Sequence, residues 1–195
     1  MRRIIGKCML CVLCLCLCSC KGSDTTGKTK HVSADGKVDE YKSVQELEND
    51  AEAILKVIRL GEENPVVKKN ADGDIYSAYT FSNVKIEKVY KDVDEKLVSG
   101  DTITILENEA RDEATNTVFH VNGYNLMKKG KEYILFLKKG ETNRKEYYVS
   151  LGVNYGTVSL GKDGRSVVMK DEEGKKLSDF SPYQEIWEAV RAKYR

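Results

Sequence analysis

The alternation of apolar and polar positions changes character several times along the 195 residues, and each change marks an element. After basic Arg2, Arg3 and Lys7, residues Cys8 to Leu17 form an unbroken apolar run. At about ten residues it is too short to cross a bilayer core of ~30 Å as a helix. From Lys21 to Asp39 almost nothing is apolar, and such a stretch cannot bury enough surface to offset its ordering entropy, which predicts a flexible tether. Ser43-Val44-Gln45-Glu46 then reads as a capping box that opens a short helix ending at Asn49-Asp50.

Strand patterns follow. Residues 53 to 60 are rich in β-branched and aliphatic types and predict a first strand. A polar loop through Asn64-Pro65 and Asp72-Gly73-Asp74 leads into a long alternating stretch, Ile75 to Tyr90. Tyr79 and Phe81 share one parity while Val84 and Ile86 share the other, which predicts a β-bulge near Ser82-Asn83. Ser99-Gly100-Asp101 turns into a third strand, Thr102 to Glu107, and residues 108 to 117 lack periodicity and read as an exposed loop. After Lys129-Gly130-Lys131, the run Tyr133 to Leu137 is continuously apolar, as in a strand buried on both faces, with Ile134 and Phe136 expected inside a barrel. Tyr147 to Leu151, Thr157 to Leu160 and Ser166 to Met169 supply further short strands, the last two joined by the hairpin signal Lys162-Asp163-Gly164-Arg165. The chain closes on an amphipathic helix: Ser181 caps it, Pro182 takes the first helical position, and Tyr183, Ile186, Trp187, Val190 and Tyr194 line one side. Trp187 within that stripe reads as core. The elements predict a mainly β fold, a small OB-like β-barrel with a short N-terminal helix and a C-terminal amphipathic helix.

The N-terminal run gains its meaning from Leu17-Cys18-Ser19-Cys20, a lipobox-like ending with small Ser19 before the cysteine. Residues 1–19 are therefore expected to be a lipoprotein signal peptide. Cleavage would leave Cys20 to carry diacylglycerol, and two acyl chains anchor durably where one does not. The expected organisation is 1–19 signal, 20–40 lipidated Cys20 and tether, and 41–195 a single barrel domain, held by lipid at the extracytoplasmic face of the cell membrane. All six cysteines lie at or before Cys20, without the spaced His or acidic partners of a metal site, so disulfides and thiol chemistry are not expected in the domain.

Charge narrows the partners. Removing residues 1–19 takes three basic and no acidic residues from 32 and 31, leaving 29 against 31. A surface so balanced lacks the basic stripe that nucleic acid requires. The membrane, an envelope protein or a glycan is the expected partner.

The order of elements carries a resemblance. Tyr41-Lys42-Ser43-Val44-Gln45-Glu46-Leu47, a strand, Phe81 to Lys91, Ser99 to Ile105 and Lys129 to Leu137 together resemble a group of uncharacterised bacterial surface lipoproteins. These look like five-stranded OB-type barrels, distantly similar to the netrin and metalloproteinase-inhibitor modules. The resemblance covers about residues 41 to 160 and rests on strand and turn patterns, so it implies a barrel and not a reaction. Metalloproteinase inhibitors set a free N-terminal cysteine against the target's zinc, whereas Cys20 here is expected to be acylated and distant from the barrel. That mechanism does not carry over.

Candidate chemistry is sparse. His120 is the only histidine within 41–195, since His31 lies in the expected tether, and no Gly-x-Ser-x-Gly elbow accompanies it: Gly152-Val153-Asn154-Tyr155-Gly156 has Asn at its centre. His120 is expected to be structural or merely exposed, not catalytic. Asn70 with Asp72-Gly73-Asp74 lacks the closing bidentate Glu of a calcium loop and reads as a turn. Glu107, Glu109, Asp112 and Glu113 are interrupted by Arg111 and read as a solvated loop. No metal, cofactor or catalytic residue is expected, and the competing reading is an envelope-associated hydrolase or metal-dependent enzyme. Binding is better supported: of eleven tyrosines, Tyr124, Tyr147 and Tyr155 are the candidate ligand contacts, since aromatic faces stack on sugars or bases.

Overall fold

The computed structural model describes residues 28–62, 65–140, 146–161 and 181–194. The expected signal segment, Cys20, the hairpin expected at 162–165, the strand expected at 166–169 and the side chains of Ser181 and Pro182 lie outside that description.

Helix α1 (Val44–Asp50) starts where the capping box requires, with Ser43 Oγ accepting from the Glu46 amide at 3.2 Å and Glu46 Oε2 accepting from the Lys42 amide at 2.7 Å. It leads into β2 (Ala53–Glu62), which pairs antiparallel with the long strand β4 (Ile75–Asp92). Strand β4 pairs antiparallel with β5 (Thr102–Glu107), and β5 pairs parallel with β9 (Tyr147–Ser150). Strand β8 (Glu132–Gly140) joins β9 on one side and β2 on the other, both antiparallel, so the pairings close a ring β2-β4-β5-β9-β8. Strand β10 (Thr157–Ser159) adds to β8, and β3 (Val66–Lys69) folds back on the start of β4. The fold is mainly β.

Strand β8 explains the two cores. Its residues from Tyr133 to Leu137 are all buried, and alternation sends them to opposite sides. Tyr133, Leu135 and Leu137 fill the ring interior with Leu55, Val57, Val84, Ile86 and Ile105. Ile134 and Phe136 point the other way, into a second core beneath α2 (Ser181–Tyr194) with Leu47, Ile186, Trp187 and Val190. The continuous apolar run thus serves two faces, and the expectation that Ile134 and Phe136 line the ring interior is corrected. Trp187 is core, as its helical stripe implies, and its indole N–H donates to the Asn154 carbonyl at 3.1 Å.

Three further expectations change. The segment 108–117 contains β6 (Glu109–Asp112), which pairs antiparallel with β7 (Thr117–Val121). The expected tether contains β1 (Lys30–Ala34), laid parallel along β7 in register from Lys30↔Thr117 to Ala34↔Val121. The resulting sheet β1-β7-β6 is invisible to periodicity, because a short, polar, half-buried strand carries no apolar run to read. The register of β4 is unbroken against β5 from Thr80 to Lys85, so there is no slip at Ser82-Asn83. The irregularities lie in the β2–β4 ladder, where Glu87 and Tyr90 on β4 and Leu60 on β2 have no opposite residue.

Candidate functional site

The parity of β4 decides what the protein presents. Thr80, Ser82, Val84 and Ile86 are buried and face inward, and Tyr79 and Phe81 between them face outward. Small polar residues take the inside because a polar network occupies that end of the ring. Arg59 on β2 donates through Nη2 to Ser82 Oγ at 3.1 Å and also pairs with Glu62. Its Nε lies 3.3 Å from Glu107 Oε1, an ion pair without hydrogen-bond alignment. The other carboxylate oxygen, Glu107 Oε2, accepts from Tyr124 Oη at 2.9 Å and from the Met127 amide at 2.6 Å. Burial pushes the Glu107 carboxyl above its ordinary range, against the pull of the hydrogen bonds and of Arg59. Thr80 Oγ1 donates to the Glu109 carbonyl at 2.7 Å, tying β4 to β6.

Displaced outward, Tyr79 and Phe81 pack edge to face, with centroids 5.3 Å apart at 70°. Phe81 meets Tyr147 on β9 in the same manner, at 5.2 Å and 63°. The Lys68 ammonium, on β3, stands 6.0 Å from the Tyr79 ring centre. Tyr147 reaches Phe81 because its β8 partner is Gly140: a Cβ there would collide with the Tyr147 ring. The three rings form a half-buried aromatic strip on the outer face of the ring, from the β3–β4 hairpin to the start of β9.

Beside Tyr147 opens a cleft of about 440 Å³, lined by Glu52, Asp92, Asp94, Lys139 and Tyr148 among others. Its charged groups are engaged in the fold. Asp92 Oδ2 accepts from the amides of Lys96 and Leu97 at 2.6 and 2.7 Å, Glu52 Oε2 accepts from the Lys139 amide at 2.8 Å, and Asp94 pairs with the Lys139 ammonium. That last contact holds the Asp94 carboxyl below its usual value. Burial pushes the Tyr148 phenol up. The cleft offers aromatic walls and a polar rim, the makings of a binding surface.

His120 is structural and not exposed. It is buried, its Nδ1 lies 2.8 Å from the Tyr124 carbonyl and 3.2 Å from Glu109 Oε2, and its Nε2 lies 3.0 Å from His31 Nδ1. These partners make it a structural polar residue joining β7 to β1 and β6. The acidic residues of 107–113 do not converge either: Glu107 faces Arg59, Glu109 Oε2 accepts from the Leu126 amide at 3.1 Å, Asp112 pairs with Lys69 at 2.8 Å and Glu113 with Arg111 at 3.3 Å. Among the described residues no group of three or more His, Cys, Asp or Glu is placed to hold a metal ion. Asn70 Oδ1 accepts from the amides of Asp72 and Asp74 at 3.0 and 2.8 Å, closing a turn.

The three candidate tyrosines are dispersed. Tyr124 is buried against Glu107, and Tyr155 is buried against Tyr41 at 5.6 Å, beneath the helices. Neither ring is presented at the surface. Tyr147 alone lies on the outer strip. Tyr79 and Phe81 escape a reading by hydrophobicity, which takes aromatic positions as the inner parity; the signal that finds them is Thr80 and Ser82 alternating in phase with Val84 and Ile86.

Among the described residues no helix is long and apolar enough to cross a membrane. Comparison with known protein families, curated sequences and solved structures finds no match for this chain.

Proposed function

We propose that the chain is a lipid-anchored, non-catalytic binding module of the bacterial cell envelope, held at the extracytoplasmic face of the cell membrane through Cys20, and that the Tyr79–Phe81–Tyr147 strip takes a glycan. The observation that carries this reading is the outward placement of Tyr79 and Phe81 in contact with Tyr147. The topology supports it. In chain order the ring strands are β2, β4, β5, β8 and β9, with the third paired in parallel to the fifth and the fourth returning to the first. That order suits an OB-type barrel, a plan that binds oligosaccharides or oligonucleotides across its second and third strands and the loops before the second and after the fourth. The strip begins on β4, the second strand, and ends on Tyr147 just past the fourth. The balanced charge favours a neutral, hydroxyl-rich ligand over a phosphate backbone.

Two measurements test the reading. Metabolic labelling with a fatty acid should mark the full chain and leave Cys20→Ser unlabelled, because the thioether needs the cysteine sulfur. Sedimentation with purified, protein-free wall glycan should retain the wild-type chain and release Phe81→Ala. Retention only by envelope proteins would replace the glycan with a protein partner, and undiminished labelling of Cys20→Ser would remove the anchor.

A further inference from the structure

We propose that His31 and His120 form a one-proton latch that holds strand β1 on β7, closed while either imidazole is neutral and opened when both are protonated. The inference is independent of which ligand the aromatic strip takes. It follows from how few ways two rings can share a hydrogen bond. The Nδ1 of His120 faces two acceptors, the Tyr124 carbonyl at 2.8 Å and Glu109 Oε2 at 3.2 Å, so it carries a proton in every state. His120 is then neutral only if its Nε2 is bare, and that nitrogen accepts from His31 Nδ1–H at 3.0 Å. The rings lie nearly parallel, with centroids 5.3 Å apart and 17° between planes. A first proton goes to the outer nitrogen of His31 and leaves the bond intact. A second has only His120 Nε2 to occupy, where it sets donor against donor and positive charge against positive charge.

The surroundings decide where this happens. Glu109 on β6, which lies 3.2 Å from His120 Nδ1, favours positive charge at His31, while Arg111 on the same strand opposes it there. Burial, followed by the neighbouring His120, holds the His31 imidazole below its ordinary value of 6.5. A depressed histidine contributes fully to the closed form above the unperturbed value and loses that contribution as pH falls from there through the lowered one, so the first proton weakens the latch without breaking its bond and the second breaks it. Other bonds define what is released: the Lys30 amide donates to the Asn116 carbonyl at 3.1 Å, the Asn122 amide to the Ala34 carbonyl at 2.9 Å and the Gly123 amide to Ser33 Oγ at 3.0 Å. None of these groups titrates, so the histidine pair is the pH-dependent part of the attachment.

Hydrogen exchange on the full chain tests this, read as protection factors so that the pH dependence of the chemical step cancels. Each pKa unit separating latched from free imidazole shifts the opening equilibrium about tenfold. Between pH 7.5 and pH 5, protection of residues 31–34 should fall about tenfold or more while that of Leu135 and Phe136 holds. In His31→Gln, whose side-chain amide can donate to a bare His120 Nε2 and, turned over, accept from a protonated one through its oxygen, the fall should vanish. A histidine NMR titration of the wild-type chain gives an independent reading: two separated steps, the lower coinciding with loss of β1 protection. Unchanged protection in the wild type, the same fall in His31→Gln, or loss of protection without a coincident histidine step would each overturn the latch.

Discussion

Ser82 on β4 accepts a hydrogen bond from Arg59 on β2 inside the ring, 3.1 Å from Oγ to Nη2, and this contact fixes which way its neighbour Phe81 faces. A buried guanidinium needs polar partners on every side it presents. Ser82 and Glu107 supply them, and alternation then places Phe81 outside.

Breaking that network from the acidic side is expected to be costly. Glu107→Ala leaves Arg59 buried opposite an apolar gap and strands the Tyr124 hydroxyl and the Met127 amide, a loss of about 3–5 kcal/mol. Glu107→Gln keeps the shape and should lose less. Denaturant midpoints of the two variants give the ranking.

Phe136 is fully buried between β8 and α2, with its ring 5.7 Å from that of Tyr194. Phe136→Ala is expected to cost about 3–5 kcal/mol through lost burial and an unfilled cavity. Thermal unfolding should show this together with early loss of the Trp187 fluorescence signal, because the residue packs on the helix and not inside the ring.

His120→Ala should cost about 1–3 kcal/mol, since it strands the buried Tyr124 carbonyl and removes the partner of the half-buried His31 ring. An exposed bystander would fall within ~0.5 kcal/mol. Equilibrium unfolding at pH 7.5 separates the two values.

How much of this was legible in the sequence follows from where apolar contrast exists. The capping box at Ser43, strand β5 and the doubly buried β8 are strong local patterns, and each forms where it is predicted. Strand β1, with Lys30, His31 and Ser33 among its five residues, has no such contrast; it exists because β7 offers it a ladder. The inverted parity at Thr80 and Ser82 is likewise a tertiary effect, set by an arginine more than twenty positions earlier in the chain. Of the candidate tyrosines, burial consumed Tyr124 and Tyr155, a fate that adjacent residue types do not announce.

Acid should weaken the docking of α1. The Asp50 carboxylate is held below its ordinary 3.8 by hydrogen bonds from Lys138 and then Tyr41, at 2.7 and 2.5 Å. A depressed carboxyl stabilises the fold above its unfolded value, and the contribution is lost as pH falls from there through the folded one. Below about pH 4 the denaturant midpoint should therefore drop. Asp50→Asn should flatten that part of the profile.

The central claim is that an outward aromatic strip binds sugar, and calorimetric titration of the full chain with a soluble wall-glycan oligosaccharide tests it most directly. Stacking on one ring contributes about 1–3 kcal/mol, so Phe81→Ala and Tyr147→Ala should each weaken binding about fivefold to a hundredfold, with the unfolding midpoint little changed. The buried Tyr155→Phe should bind as the wild type does. Equal affinity across wild type, Phe81→Ala and Tyr147→Ala would contradict the account.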